Sequence, residues 1–300
     1  MISINETLLI THTDLDGAGC AIIARMAMPL VDIKYCNNPN EVTELLNKIG
    51  KAAYDDIIVA DISFNPDEIP HEILNKITIY DHHPTAVNCS NYGTVDTTGK
   101  ESGTSLLLKD YPVENAKVLV DTIRKYDTWI WNEEGNKLPY YLNTLFQLYG
   151  MKKFVRVFCK KLETTALNEM NIFTVEEAFL VAEYELFKER EMNNATKNVH
   201  LIETADYKFA LIFGNYDFSN MAIILKKQYP DVDFVMQINP NTGAVSVRTD
   251  KTYIDLGTLM KNKFSGGGHR MAAGGKTDFI NEMIETAVQQ LGFVKTIRKG

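Results

Sequence analysis

The stretch LLITHTDLDGAG at residues 8–19 decides the predicted fold. Its apolar start predicts a strand at Leu8–Thr11, and the helical pattern of Gly17–Ala27 follows almost directly. Two further apolar runs, Ile57–Asp61 and Ile77–Tyr80, also predict strands, and each ends in polar residues. Strands that alternate with helices are typical of an α/β domain with a parallel sheet. We therefore predict such a domain for the N-terminal part of the chain.

A long charged helix is predicted to divide the chain. Helical patterns dominate after the last of these strands, and Val175–Asn198 forms one continuous helical stretch. We interpret residues 174–198 as a helix that connects two domains. The first domain is predicted at residues 1–173 and a smaller α/β domain at residues 199–300.

The smaller domain is predicted to contain a hairpin. Phe209–Phe213 and Phe234–Ile238 have the composition of strands, and residues 240–243 form a turn sequence that leads into a strand at Ala244–Arg248. Farther along, residues 261–276 carry four basic and no acidic side chains, together with several glycines. This basic segment contrasts with the rest of the chain and indicates a candidate anion-binding region.

The composition disfavours several classes of protein. The chain has 300 residues, 45% of them hydrophobic, and a net charge of −8, which disfavours binding of long duplexes by neutralisation of many phosphates. Its four cysteines form no Cys-x-x-Cys pair, so we expect neither a thiolate zinc site nor disulfides, but a reducing cytoplasm. No signal peptide or membrane span is predicted, because the longest apolar stretch is short and interrupted by Arg25.

Carboxylate and imidazole side chains follow the three N-terminal strands at the point where each strand ends. They are His12, Asp14, Asp16, Asp61, Asp81, His82 and His83. Because the carboxyl ends of parallel strands converge on one edge of a sheet, we expect these side chains to form a single site. An Asp-x-Asp-Gly sequence alone more often forms a turn or a helix cap, and paired histidines are often surface residues. Their joint occurrence at three strand ends favours the site.

The chemistry of this set favours a divalent metal. Carboxylates with imidazoles suit an ion such as Mn²⁺, and the number of oxygens allows two ions that share one carboxylate. Such a pair, roughly 3.5–4 Å apart, activates a water molecule and stabilises the attacking and leaving oxygens of a displacement at phosphorus. We therefore expect two divalent ions, with Mn²⁺ favoured.

The residues also resemble a known family. The sequence DHHP at residues 81–84 is similar to the triplet that names the DHH phosphoesterases, and Thr11–Gly19 is similar to their first motif. Gly266–Gly274 resembles the glycine-rich signature of their associated C-terminal domain. The resemblance spans nearly the whole chain and indicates the nano-RNase and oligoribonuclease branch.

The resemblance implies roles for individual side chains. The implied metal ligands are Asp14, Asp16, Asp61 and His82. Asp61 would bridge the two ions, and His83 would contact the scissile phosphate. We group Asp81 with Asp61 and His83 as the catalytic set.

Two further ligands are less closely tied to the family pattern. Several members have a histidine four residues before the first aspartate, whereas His12 stands two residues before Asp14. We keep His12 as an expected ligand. For the last ligand, Asp127 near a predicted helix end is favoured over Asp121, which lies in the middle of that helix.

Candidate substrate-binding residues lie mainly in the second domain. They are Arg248, Gly267, Gly268, His269 and Arg270, whose amides and basic side chains suit a phosphate or a base. We expect the glycines to form a loop. In the first domain Ser102 is a further candidate, although a simple helix start explains it equally well. His83 is included as a phosphate contact.

Taken together, the resemblance implies a manganese-dependent phosphodiesterase that hydrolyses short oligonucleotides or dinucleotides to mononucleotides in a cleft between its domains. Open alternatives are a phosphatase for 3′-phosphoadenosine 5′-phosphate, a cyclic-dinucleotide phosphodiesterase and a nucleotide sensor without activity. An inorganic pyrophosphatase is disfavoured, because it would not need a base-binding surface. Long duplexes and membranes are not expected partners, and a homodimer stays open, as does the choice between RNA and DNA.

Overall fold

The computed structural model describes residues 7–28, 30–49, 53–278, 282 and 286. The chain divides into two units, Met1–Ala182 and Glu183–Gly300. Each unit is built around its own β-sheet. Among the described residues, no helix combines the length and the apolar character that a membrane crossing requires.

In the first unit, all neighbouring strands of a five-stranded sheet are parallel. The strands are β1 (Thr7–Thr11), β2 (Asp32–Tyr35), β3 (Asp56–Ala60), β4 (Ile77–Asp81) and β5 (Gly93–Val95). Their order is β2-β1-β3-β4-β5, so the three strands predicted from the sequence lie side by side. The predicted α/β fold with a parallel sheet is confirmed. The edge strands β2 and β5 are short and carry no apolar run from which a strand could be predicted.

Helices cover both faces of this sheet. They are α1 (Leu15–Ala27), α2 (Pro39–Lys48), α3 (His71–Leu74), α4 (Gly103–Asp110), α5 (Lys117–Asp127), α6 (Ile130–Glu134) and α7 (Leu138–Thr164), which is kinked at Gly150. Leu9 and Ile58 belong to the core that contains α1, α4, α5 and α7, whereas Leu8 and Ile57 pack with α2 and α3. Alternate strand residues therefore face opposite layers, as is typical of a parallel sheet buried on both sides.

Helix α1 begins two residues earlier than predicted. It starts at Leu15 rather than Gly17, because Asp14 is its N-cap and accepts the Gly17 N–H on Oδ1 at 3.0 Å. Asp14 thus ends the loop after β1, and Asp16 lies on the first helical turn.

The predicted long helix is present as α8 (Val175–Ala195), and the division between the two units falls within it. Its start is a capping box. The Glu177 N–H donates to Thr174 Oγ1 at 3.2 Å, and the Thr174 N–H donates to Glu177 Oε2 at 2.8 Å. The helix ends three residues before the predicted Asn198.

A mixed six-stranded sheet forms the centre of the second unit. Its elements are β6 (His200–Glu203), β7 (Lys208–Phe213), α9 (Phe218–Gln228), β8 (Phe234–Ile238), β9 (Ala244–Arg248), α10 (Leu256–Lys263), β10 (Gly267–His269) and β11 (Ala272–Lys276). The order is β10-β11-β9-β8-β7-β6; β7 and β8 are parallel, and the other neighbouring pairs are antiparallel. The predicted hairpin of β8 and β9 is confirmed with the predicted bounds.

The glycine-rich segment is a β-hairpin, so the prediction of a loop was wrong. Strand β10 pairs antiparallel with the start of β11. Gly268 has a φ of 135°, and a Cβ there would lie 2.7 Å from the Cα of Ala273. Glycine therefore permits the close approach of the two strands. Pairing within the sheet uses backbone groups that a free loop would offer to a ligand.

Candidate metal centre

The side chains predicted at the ends of β1, β3 and β4 lie close together. Their ligand atoms form three overlapping groups, and the atoms of each group lie within 4.8 Å of one another. The groups are His12, Asp14 and Asp61; Asp16, His82 and Asp127; and Asp61, Asp81, His82 and His83. Since the groups share Asp61 and His82, these side chains make one site at the carboxyl edge of the sheet.

Asp61 lies at the centre of this site, directly after β3. Its side chain is 1% exposed, and its φ of 60° is a left-handed conformation that costs ~1 kcal/mol. Its two oxygens face different partners: Oδ1 lies 3.3 Å from His82 Nε2, and Oδ2 lies 4.0 Å from His12 Nδ1. The strained backbone thus directs one carboxylate between histidines that follow two different strands.

Asp16 is held by the N-terminus of α4. Its Oδ1 accepts the Ser102 hydroxyl at 2.7 Å and the Thr104 N–H at 3.1 Å, while Oδ2 accepts the Gly103 N–H at 2.6 Å. Three donors at a helix N-terminus fix the orientation of this buried carboxylate. A Cβ on Gly103 would lie 2.6 Å from the Cβ of Asp61, so glycine lets α4 approach both acids.

Ser102 was predicted to bind substrate, but in the structure its side chain has another partner. The residue is fully buried, and its hydroxyl donates to Asp16, so it positions a carboxylate of the site. Gly103 and Thr104 act in the same way through their N–H groups, and neither residue was predicted to contact Asp16. The small polar sequence at this helix start was the signal that could have indicated them.

His82 connects the end of β4 with the end of α5. Its Nε2 lies 3.2 Å from Asp127 Oδ2, 3.3 Å from Asp61 Oδ1 and 4.0 Å from Asp16 Oδ2. Burial lowers the pKa of His82 below its ordinary value. The neutral imidazole, which is the form that binds metals, is therefore available at neutral pH.

The two candidates for the last ligand lie on the same helix in different environments. Asp127 is the final residue of α5, and burial, together with the negative charges of Asp16 and Asp14, raises its pKa to about 8. Asp121 is half-exposed and forms an ion pair with Arg124. The structure therefore brings Asp127, and not Asp121, into the site.

Asp81 orients the two histidines that follow it. The residue is fully buried, and its Oδ1 accepts the N–H groups of His82 at 2.7 Å and His83 at 3.1 Å. The same oxygen lies 2.8 Å from His83 Nδ1, and this contact raises the pKa of His83. Because the His83 side chain is 45% exposed, it presents a cationic imidazole over a wider pH range than an ordinary histidine.

His12 reaches the site although it departs from the family spacing. Its Nδ1 lies 2.8 Å from Asp14 Oδ2, and this contact raises the pKa of His12. Burial opposes the ionisation of Asp14, but hydrogen bonds from His12 and the Gly17 N–H outweigh it and lower the pKa of Asp14 to about 2. A histidine two residues before the aspartate can therefore approach the same atoms as the other candidate ligands.

The site holds buried carboxylate oxygens that accept no hydrogen bond. Within the described part of the chain, Asp61 Oδ2, Asp81 Oδ2 and Asp127 Oδ2 are buried and accept no hydrogen bond. Burial, followed by the charges of Asp16 and Asp14, raises the pKa of Asp61 well above its usual range. Buried carboxylates are unfavourable unless a positive group compensates them, and divalent ions bind to carboxylate oxygens and imidazoles. The donor set therefore fits divalent metal ions.

In the second unit, the two predicted arginines already have partners. The Arg248 guanidinium lies 5.7 Å from the ring centre of Phe218, and its Nη1 donates to the Val247 carbonyl at 2.9 Å. Arg270 follows β10, and its Nη2 donates to the Thr252 carbonyl at 2.6 Å. These contacts orient the two guanidinium groups and leave some of their N–H donors for a ligand.

The sheet of the second unit aligns His269 with Arg248. His269 is paired with Ala272 on β11, and Ala272 is paired with Arg248 on β9. Directly paired residues of antiparallel strands share a face, so both side chains lie on one face, roughly 10 Å apart. Gly267, Gly268 and His269 are exposed. The five residues of the second unit that are predicted to bind substrate are thus confined to β9, β10 and the turn after β10.

Comparison with known proteins identifies relatives that cover nearly the whole chain. No family model matches the sequence. The oligoribonuclease NrnB of Bacillus subtilis is 28% identical over 308 residues, which cover 92% of this chain and 74% of that protein. A 3′,5′-cyclic-nucleotide phosphodiesterase of Helicobacter pylori is 25% identical over 330 residues, which cover 91% of this chain and 93% of that protein.

Solved structures share the fold at lower sequence identity. The pGpG-specific phosphodiesterase PggH of Vibrio cholerae has a TM-score of 0.58 and 14% identity, covering 95% of this chain and 98% of its own. The exonuclease RecJ bound to manganese has a TM-score of 0.58 and 15% identity, with coverages of 95% and 88%. The DHH domain of a member of the s1p family of ribosomal proteins has a TM-score of 0.57 and 13% identity, with coverages of 97% and 88%.

Proposed function

We propose that the chain is a member of the DHH family and a metal-dependent phosphodiesterase that hydrolyses short oligonucleotides to mononucleotides. The observation that carries the proposal is the site at the ends of β1, β3 and β4. Among the described residues, three buried carboxylate oxygens in this site accept no hydrogen bond. A site that binds cations and is lined by imidazoles suits the hydrolysis of a phosphate ester.

We assign two ions to this site, and Asp61 would be one of their ligands. The first would be held by His12 and Asp14, whose ligand atoms form one group with Asp61, and the second by His82 and Asp16, whose Nε2 and Oδ2 atoms lie 4.0 Å apart. Asp127 adds an oxygen to the second group. Carboxylates with imidazoles favour Mn²⁺, and RecJ, which has the same fold, was solved bound to manganese. Bound ions would lower the pKa of a water molecule and stabilise negative charge at phosphorus.

The remaining side chains of the site orient and neutralise the phosphate. Asp81 accepts the hydrogen bond from His83 Nδ1 and thereby leaves Nε2 to face a ligand. The raised pKa of His83 favours the imidazolium, which can donate to a phosphate oxygen as negative charge develops. We therefore assign His83 to the scissile phosphate and Asp81 to the orientation of His83.

The substrate class follows from the relatives and from the charge of the chain. The Bacillus subtilis relative is an oligoribonuclease, and a net charge of −8 disfavours a long track of phosphate contacts. We assign the nucleotide to the face of the second unit that carries Arg248, His269 and Arg270, with Gly267 and Gly268 beside them. A guanidinium and an imidazole about 10 Å apart can contact a phosphate and a base of one short ligand.

Cyclic nucleotides are a second candidate substrate. The Helicobacter pylori relative is a 3′,5′-cyclic-nucleotide phosphodiesterase and matches this chain over 93% of its own length. The same metal site would serve both reactions, because each breaks a phosphodiester bond. The two candidates differ in the nucleotide that the second unit must accept.

Product analysis by chromatography tests the proposal. The substrates are diadenylate, diguanylate, their cyclic forms, 3′,5′-cyclic AMP, 3′-phosphoadenosine 5′-phosphate and pyrophosphate, each with Mn²⁺, Mg²⁺ or Co²⁺. We expect linear dinucleotides with Mn²⁺ to be hydrolysed fastest. Asp61→Asn and His82→Ala should abolish turnover, and Asp121→Asn, on the exposed side of α5, should retain it. Tight dinucleotide binding without turnover in excess Mn²⁺ would contradict the proposal and indicate a sensor.

A further inference from the structure

Aromatic rings follow the metal site directly along the chain. Trp131 lies at the centre of this group. Its ring centroid is 6.0 Å from that of Trp129, 6.4 Å from that of Tyr126 and 5.5 Å from that of Tyr140. The rings of Tyr126 and Trp129 are inclined to Trp131 by only 13° and 28°. We call these four residues the aromatic stack.

Trp129 ends the stack on the solvent side, in a conformation that tryptophan rarely adopts. Its φ of 63° and ψ of 5° are left-handed, and its side chain is 65% exposed. A glycine would adopt this backbone without strain, and an exposed ring gains little from the hydrophobic effect within the chain. Backbone hydrogen bonds from the Trp129 N–H to Tyr126 O and from the Asn132 N–H to Trp129 O hold the turn in place. Neither propensity nor burial explains a tryptophan at this position, but contact with a ligand does.

The stack begins beside the proposed metal ligands. Tyr126 directly precedes Asp127, whose Oδ2 lies 3.2 Å from His82 Nε2. Trp129 follows two residues later, and two residues of chain span at most ~7 Å. A phosphate at the metal site would therefore place the attached nucleoside within reach of the Trp129 ring.

We propose that Trp129, backed by Trp131, stacks on a nucleobase of the substrate and so determines how tightly an oligonucleotide binds. The inference rests on the proposed function, because the base is brought here by the phosphate at the metal site. Every nucleobase has a flat π face, so stacking on an aromatic ring is strong and tolerant of sequence. One exposed ring matches one base, whereas a stable protein interface needs ~800 Å² on each partner.

The test measures steady-state kinetics on 5′-phosphorylated diadenylate and on two analogues, each lacking one of the two bases. Trp129→Gly removes the ring and suits the left-handed backbone, while Trp129→Phe keeps a ring. The matched control is Phe179→Ala, which removes a ring that is 66% exposed on α8. We expect Trp129→Gly to raise KM for diadenylate by roughly 5- to 150-fold, the range that stacking of one base gives, with a smaller change in kcat. The thermal midpoint of this variant should not fall.

Intrinsic fluorescence provides a second measurement that does not require turnover. The chain has two tryptophans, and both belong to the aromatic stack. Diadenylate should therefore quench the emission of the wild-type protein, and the analogue that lacks the stacked base should quench it less. The apparent Kd for diadenylate should rise in Trp129→Gly and stay near the wild-type value in Trp129→Phe and Phe179→Ala.

The outcomes separate this inference from the proposed function. Unchanged KM and Kd in Trp129→Gly, or equal losses on all three substrates, would overturn the role of Trp129 even if the wild type is an active phosphodiesterase. A change of oligomeric state with unchanged KM would also overturn it and would assign the ring to self-association. Absence of turnover with a raised Kd in Trp129→Gly would contradict the proposed function and support the stacking.

Discussion

Asp61→Asn should make the metal-free protein more stable and abolish its stabilisation by metal. Asp61 is 1% exposed, and its Oδ2 is buried without a hydrogen bond from any described residue. The substitution keeps the shape of the side chain, and asparagine tolerates the φ of 60°. Its amide N–H can donate to Asp14, whose carboxylate lies in the same group of candidate ligand atoms.

The magnitude follows from the removal of an unsatisfied buried group. Such a group costs ~1–3 kcal/mol, so the free energy of unfolding in EDTA should rise by about that amount. For a domain of ~150–250 residues, 1 kcal/mol shifts Tm by about 2–4 °C, which gives a rise of roughly 2–12 °C. In Mn²⁺ at 100 times its Kd, the wild-type protein should gain ~2.7 kcal/mol for each ion bound, whereas Asp61→Asn should gain little.

Thermal unfolding followed by circular dichroism, in EDTA and in excess Mn²⁺, measures both effects. The control is Asp121→Asn, which changes a half-exposed carboxylate on α5 and should stay within ~0.5 kcal/mol of the wild type in both conditions. A lower Tm of Asp61→Asn in EDTA, combined with the same gain in Mn²⁺ as the wild type, would refute the reasoning. Asp61 would then be an ordinary structural aspartate.

Three further predictions concern the same site. The metal-free protein should lose stability as the pH rises from about 6.5 to 8. Folding raises the pKa of Asp127 to about 8 and also raises those of Asp61 and His83, so each group favours its protonated form in the folded state. Urea unfolding in EDTA at several pH values measures this loss, and a midpoint that stays constant would contradict it. Gly103→Ala would place a Cβ 2.6 Å from the Cβ of Asp61, so it should lower the free energy of unfolding by ~1–3 kcal/mol and the Mn²⁺ affinity in calorimetry by tenfold or more. The control is Gly267→Ala, whose Cβ would meet nothing within 4 Å and which should leave Tm unchanged. Equal effects of the two variants would disprove the close approach. His83→Gln should reduce kcat on diadenylate by about 100-fold with Mn²⁺ affinity kept, and a loss of metal binding would instead make His83 a ligand.

The central strands and the site at their ends could be predicted because local sequence determines them. β1, β3 and β4 are buried on both faces, and this burial requires the continuous apolar runs that predict them. Because the strands are parallel, the polar residues that follow them all lie at the carboxyl edge of the sheet. Asp127 could be predicted from its position near a helix end.

Other features depend on contacts between distant parts of the chain. Ser102 lies 86 residues from Asp16, and only the packing of α4 against α1 shows that its hydroxyl serves a carboxylate. The β10–β11 hairpin depends on pairing with β9, so its glycines alone suggested a loop. The left-handed backbone of Trp129 contradicts the preference of tryptophan, and no sequence rule would indicate it.

Electron paramagnetic resonance of the protein titrated with Mn²⁺ tests most directly whether two ions share Asp61. The wild-type chain should bind two Mn²⁺ and give the spectrum of an exchange-coupled pair, and this coupling should vanish in Asp61→Asn. One ion per chain, two uncoupled ions, or a coupled pair that persists in Asp61→Asn would contradict the account.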